Sequence, residues 1–375
     1  MHHALSKTRS IHQINGQLLI LFAAFYSSLA NAFAAPQSPD SEREKSAILV
    51  ASSERGVVTL TSDLDIGITI SSDIPLQSGT AMEGAFRETE AQLLGAKQRR
   101  VFENAGQWGV VRLYPQPSLI PQLMLDMVVL QSDGRQLRVH AMLTGVHGDT
   151  LLSDTYLDYA SSEGVLTADN EDPFTDLFHR IHNDVATKVA LMPESEDYLR
   201  QLSFLRYAQQ LAPQAFEAYL SREGESWQLL RAPAEQDPMY QRISKLREYE
   251  LLFVDTIDEQ LTSALREIDT AYRLWLRASK EQLDWLEKRR ARGVNAEGLA
   301  DDSAFARHQA VYAAYRSLKI HEQELFELVL DLESESRSTA LEIEETVVTL
   351  EGTLEQQYRE WREALAKIMM LENVF

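Results

Sequence analysis

Two histidines three residues apart in FHRIHND, His179 and His182, are the first place to look for chemistry in this chain of 375 residues. On a helix such residues are neighbours and can share a metal ion. A useful site needs a third ligand, and the helical neighbours in reach are Thr175 and Ala186, neither of which suits zinc. Asp169 or Glu171 from the preceding loop remain as ligands that no spacing specifies. At about 100° per residue His182 lies beside an apolar stripe and His179 turns toward water. The pair reads as the rim of a helix.

The other candidates carry less. His321-Glu322 begins like a zinc-protease helix, but the second histidine is replaced by Leu325. DLDIGITISSDI, from Asp63, resembles a calcium loop for three residues; its glycine then falls at the fifth position and its twelfth residue is Ile74. No nucleophile elbow, phosphate-binding glycine loop or dinucleotide fingerprint occurs. A pair of carboxylates stays open, because 57 acids offer many pairs and only their separation in space would mark a hydrolase. Asp255 and Asp258 in VDTID flank a stripe of Phe253 and Ile257 and read as solvated helix charges. Trp275 and Trp361 fit a packing seam, whereas Trp285 sits off it and suits an outward contact. The residues therefore name no catalytic, cofactor-binding or metal-binding site, and the chain reads as a non-enzyme without cofactor.

The elements that would position any site follow from periodicity. Residues 47–192 predict an α+β module. AILVASSERGVVTLTSDLDIGITI alternates like two strands about a turn at Glu54 to Gly56, and Met82 to Phe102 has helical spacing. WGVVRLYP is a strand ending at Pro115. Three more strands follow, with turns at Ser132-Asp133-Gly134 and His147-Gly148-Asp149. Leu125, Met127 and Val129 alternate on one strand, and Leu137, Val139 and Ala141 on the next, so one sheet face is buried under helices. A covering helix starts with Asp172 as N-cap and Pro173 as first residue, and runs to about Met192. Its stripe is Phe174, Leu177, Phe178, Ile181, Val185 and Val189.

From Ser195 the β signal vanishes. Residues 195–237 read as short helices, broken at Pro213, and a linker. Residues 238–375 read as a long antiparallel, coiled-coil-like helical hairpin. Its seams are Leu261, Leu265, Ile268, Tyr272 and Trp275 on one arm, and Ile343, Val347, Leu350, Leu354, Trp361, Leu365 and Ile368 on the other. GVNAEGLADDS supplies the reversal, with Ser303 as cap. At 1.5 Å per residue, arms of about 50 and 70 residues project beyond the module. The expected fold class is thus α+β: a small mixed or antiparallel sheet covered by helices, then an all-α region.

Composition narrows the function classes. With 36 basic against 57 acidic residues the formal net charge is -21, a surface that on balance repels nucleic acid. Lys288, Arg289, Arg290 and Arg292 cluster at the expected hairpin tip. They cap a helix dipole or touch a membrane or anionic polymer. Residues 1–34 carry Lys7 and Arg9, then the apolar run QLLILFAAFYSSLA and small residues at Ala32 and Ala34. This is the pattern of a signal peptide, cleaved or retained as an anchor, with a flexible lead over 35–46. There is no cysteine, which suits a bacterial periplasmic protein with a large core.

The helix from Met82, the strand GVVRLYP, the hairpin LMLDMVVLQSDGRQLRVHAML, the strand DTYLDYA and the helix opening DPFTDLFHRI together resemble small α/β modules of bacterial envelope accessory proteins. These include the TolB N-terminal domain, LpoB-type activators of peptidoglycan synthases and auxiliary lipoproteins of ABC transporters. The resemblance covers residues 82–192 and implies a periplasmic protein whose partners are envelope proteins. It departs from those lipoproteins in lacking their anchoring cysteine. The expected function is a non-enzymatic periplasmic accessory or scaffold protein. The alternatives are an envelope polysaccharide hydrolase using a carboxylate pair, or a ligand-binding module of a transport system.

Overall fold

The structure, a computed structural model, describes residues 48–50, 62–76, 79–160, 172–224, 226–234, 236–293, 302–343 and 346–371. The signal segment and lead at 1–46, the turn at Glu54 to Gly56, the loop acids Asp169 and Glu171 and the reversal over 294–301 lie outside the described residues. Among the described residues no helix is long and apolar enough to cross a membrane.

The fold is α+β. Strands β1 (Ile48–Val50), β2 (Ile66–Ser72), β3 (Val111–Leu113), β4 (Leu123–Ser132), β5 (Gln136–Gly145) and β6 (Thr150–Tyr159) form one mixed sheet in the order β1-β6-β5-β4-β2-β3. The centre is the antiparallel meander β4-β5-β6, while β1 joins β6, and β2 joins both β3 and β4, in parallel. β1 and β2 therefore do not pair with each other, as a turn between them suggested. Leu125, Met127, Val129, Leu137, Val139 and Ala141 are all essentially inaccessible to solvent on the helix-covered face. The register shift between Val129 and Gln131 re-aims Ser132 onto that same face.

Helix α1 (Ala81–Ala105) lies on β2 and β3, with α2 (Thr175–Val189) beside it on β6. Every residue of the α2 stripe is buried. The helix is shorter than expected and its cap differs. Asp172 is not the N-cap; its Oδ1 accepts the Phe174 amide in a turn before the helix. The Leu177 amide is taken instead by Asp158 Oδ2 from β6. Proline at 173 fits that preceding turn as readily as a first helical position.

Next come α3 (Glu196–Leu211) and the one-turn α4 (Pro213–Phe216). The small hairpin β7 (Leu220–Glu223) and β8 (Ser226–Leu229) follows, so the β signal does not end at Ser195. Then α5 runs unbroken over Pro238–Gly293 and α6 returns antiparallel over Asp302–Glu335. The return arm is not one helix. It is interrupted by the hairpin β9 (Ser338–Ile343) and β10 (Thr346–Glu351) before α7 (Leu354–Leu371). Spacing of 4, 3, 4 from Ile343 to Leu354 imitated a helical seam, but Val347 is 65% exposed whereas Thr339, Leu341 and Leu350 are buried at the period of two.

Helix α5 also does not project freely; it straps the module from end to end. Ser118 Oγ donates to Glu250 Oε1 near the start of β4. Arg112 of β3 forms a two-pronged pair with Asp255, and Arg99 of α1 pairs with Asp258. Lys97 Nζ of α1 lies between Asp269, at 2.8 Å, and Asp172. Tyr272 OH and Ser132 Oγ each donate to Glu90 Oε1 at 2.7 Å. At the far end the β4-β5 turn rests on α5 at Gly134, whose φ of 80° favours glycine and where a Cβ would also crowd Ser279 at 3.1 Å.

Burial alone would lower the Lys97 ammonium, but the two carboxylates outweigh it and hold its pKa above the usual value. Lys97→Met leaves two carboxylates facing each other at side chains 16% and 18% exposed. It should cost about 3–5 kcal/mol in urea unfolding. Asp255→Ala removes a pair whose acid is 54% exposed and should cost below about 1 kcal/mol. Equal losses would show that the strap is held by burial rather than by the inner ion triad.

Candidate functional site

His182 does not sit at the rim of its helix. It is 1% exposed, and its Nε2 accepts the Trp108 indole N–H at 3.1 Å. Nδ1 lies 3.3 Å from Asn183 Oδ1, which makes it the protonated nitrogen, and the ring meets Phe102 edge to face. Both nitrogens are thus engaged. Burial, against the Asn183 bond and aided by His179, lowers the His182 pKa. His179 is half-buried, and among the described residues no group of three or more His, Cys, Asp or Glu is placed to hold a metal.

The remaining sequence candidates are used in packing. Asp255 and Asp258 are salt-bridge partners of the module, not merely solvated charges. Glu322 is buried against Lys319 at 2.8 Å, with Leu325 in the core. Trp275 and Trp361 are buried, as a seam requires, and Trp285 is half-buried. The backbone of α5 continues through Lys288, Arg289, Arg290 and Arg292, whose side chains lie outside the described residues.

One buried carboxylate was not foreseen. Glu250, 1% exposed, accepts hydrogen bonds from Ser118, Tyr207 and Tyr358. Burial, then the Glu250 charge, drives both tyrosine pKa values far up, so the phenols stay donors. The knot joins the β3-β4 connection, α3, α5 and α7.

A cleft of about 570 Å³ opens where α1 meets the junction of α6, the β9-β10 hairpin and α7. Glu88, Thr89 and Gln92 line the α1 wall, Glu333, Ser336 and Arg337 the end of α6, and Glu351, Thr353 and Gln356 the third side. That third side is built locally. Gly352 has φ of 109°, and a Cβ there would meet Gln356 Oε1 at 2.4 Å. It delivers the chain into a capping box in which Thr353 N donates to Gln356 Oε1, and Gln356 N to Thr353 Oγ1. Arg337 is tied to Glu333 at 2.6 Å. Glu88 has its pKa raised by partial burial, then by the charges of Glu355 and Glu333. The cleft is therefore acidic, with its one lining arginine already paired. No sequence spacing brings Glu333 and Glu351 to Glu88; the β9-β10 hairpin folds them into one concavity.

The His182 arrangement gives a pH test. Unfolding restores the ordinary pKa of 6.5, so below that value the unfolded chain binds more protons than the folded one. The contribution of the neutral imidazole is whole above about pH 6.5 and is lost as the pH falls toward the lowered folded value. Asp158 opposes it: burial pushes its carboxyl up from 3.8 to about 6, so its contribution is lost as the pH rises across that span. In urea denaturation, His182→Phe should show less gain in stability between about pH 5 and 7 than the parent chain. Parallel profiles would mean that His182 is not held neutral.

No protein-family model, curated protein or solved structure matches the chain, so its likeness to other proteins rests on no match of sequence or fold.

Proposed function

We propose that the protein is a non-enzymatic accessory or scaffold protein of the bacterial cell envelope, and that its cleft receives a basic, extended segment of a partner protein. The observation that carries this reading is the acidic cleft itself. Partial burial, then the charges of Glu355 and Glu333, raise the Glu88 pKa, and a cation entering beside these carboxylates relieves the repulsive part. A volume of about 570 Å³ is within the range of ligand-sized sites. The wide mouth, with Arg337 68% exposed, suits a chain laid across it better than an enclosed small molecule. The signal-like first 34 residues, the lack of cysteine and the resemblance of residues 82–192 to envelope accessory modules support the location.

A second reading draws on the same observation. A carboxyl of raised pKa beside further carboxylates is also the chemistry of a polysaccharide hydrolase, with Glu88 as acid and Glu333 or Glu351 as partner. Glu333 carries an ion pair with Arg337 at 2.6 Å, which orients its carboxylate at the cleft.

One pair of measurements separates them. Binding of a hexa-arginine peptide to the full chain should be saturable, should weaken with added salt, and should fall roughly 2- to 30-fold in the double variant Glu88→Gln, Glu351→Gln. Release of reducing ends from purified peptidoglycan, abolished by Glu88→Gln alone, would replace the scaffold reading with the hydrolase. Unchanged peptide binding in the double variant would remove the cleft as the docking site.

A further inference from the structure

In a chain whose acids outnumber its bases, several described arginines reach a carboxylate, among them Arg87, Arg99, Arg112, Arg135, Arg200 and Arg337. Arg206 and Arg222 do not. Arg222 stands opposite Trp227 in the β7-β8 register, with its guanidinium carbon 5.5 Å from the indole centroid. Arg206, from α3, places its own at 5.8 Å from the same ring and donates one Nη1 hydrogen to the Val146 carbonyl. Among the described residues neither is ion-paired. The nearest acid to act on Arg206 is Asp149, which attracts it without a bond.

Two like charges beside one indole repel each other, and the ring that both approach is anchored. Trp227 is anchored by its amide donating to the His147 carbonyl at 2.8 Å, and its carbonyl meets His147 Nδ1 at 2.8 Å. Arg206 is fixed by Val146. Burial, then the charge of Arg222, lowers the Arg206 pKa, the reverse of what a bound carboxylate does. Arg206 also lines a pocket of about 130 Å³ with Gln122 and Thr144. Asp126 lies on that pocket too, its pKa raised by burial against the hydrogen bond from Thr69.

We infer that Arg206 and Arg222, stacked on Trp227, form a binding site for a phosphate monoester or inorganic phosphate. Planar guanidiniums on an aromatic face keep their edges free to donate, and phosphate accepts two such edges at once. A dianion also neutralises both charges, which one carboxylate does not. The source of the phosphate is either a soluble monoester or the head group of phosphatidic acid. The site lies at the β5-β6 turn, apart from the acidic cleft beside the first turns of α1, and it stands whether or not that cleft binds a partner.

Calorimetric titration of the full chain with inorganic phosphate tests it. Saturable binding is expected, weakened at least about tenfold by Arg222→Ala, an exposed change that should leave the melting temperature in place. Arg222→Lys should recover only part of the loss, because an ammonium is a point charge without the fork. Glucose 6-phosphate binding identifies a soluble source; retention on phosphatidic acid vesicles but not phosphatidylcholine vesicles identifies the lipid. No saturable heat with phosphate up to about 10 mM, or equal affinity in Arg222→Ala, would overturn the site.

Discussion

The ammonium of Lys97, shared between Asp172 and Asp269, ties three segments of chain that are otherwise far apart in sequence. Its helix, α1, has the sheet on one side, α2 beside it, and α5 with α6 on the other. A helix so enclosed has no wholly polar face to spare. This explains why Glu90, Lys97 and Gln98 are buried in α1 and why they draw partners: Glu90 takes three donors, and Gln98 Nε2 donates to the Phe178 carbonyl although Gln98 Oε1 finds no partner among the described residues. Leaving any of these groups unmet in the interior costs far more than the bond contributes. The polar contacts therefore choose where α5 lies along the module, while the continuous apolar core supplies the bulk of the stabilisation.

The same constraint explains what sequence could and could not disclose. Strands β4, β5 and β6 were legible because their alternation reports one buried face, and the α2 stripe because its period of 3.6 does the same. Helix α1 gave only its existence; buried nearly all round, it shows no clean amphipathic stripe from which its neighbours can be read. Asp255 and Asp258 read as solvated charges because their partners, Arg112 and Arg99, lie more than 140 residues away in the chain. Burial of His182 had the same cause. A helical wheel places it at the rim of α2, but Trp108 comes from the far end of α1 and closes over it.

The break in the return arm was missed for a different reason. STALEIEETVVTLEG satisfies both a heptad-like spacing and strand alternation over its short length, and short apolar runs do not separate the two by period alone. The β-branched residues Thr339, Ile343, Thr346, Val347, Val348 and Thr349, followed by Gly352, were the available arbiter. Reading them as a hairpin would also have exposed the cleft, since its third wall is the turn from β10 into α7. The carboxylates were visible throughout; what the sequence hid was the reversal that makes them face one another.

That reversal couples the cleft to the strap. α1 turns Glu88 and Gln92 into the cleft and Glu90 and Lys97 toward the interior, so one helix forms both the cleft wall and the inner clamp. The opposite wall is held by α6 and α7. α6 packs along α5 and touches α1 through Phe326 and Phe86, and α7 is tied to α5 where Trp361 Nε1 donates to the Tyr249 carbonyl. A partner of the proposed kind would bridge two elements whose separation is set by how α5 sits on α1. Binding to that folded arrangement must stabilise the strap by the same free energy with which the strap organises the cleft. Loosening the clamp at Lys97 would therefore weaken cleft binding without touching a lining residue, because the two walls would no longer be held at a fixed distance.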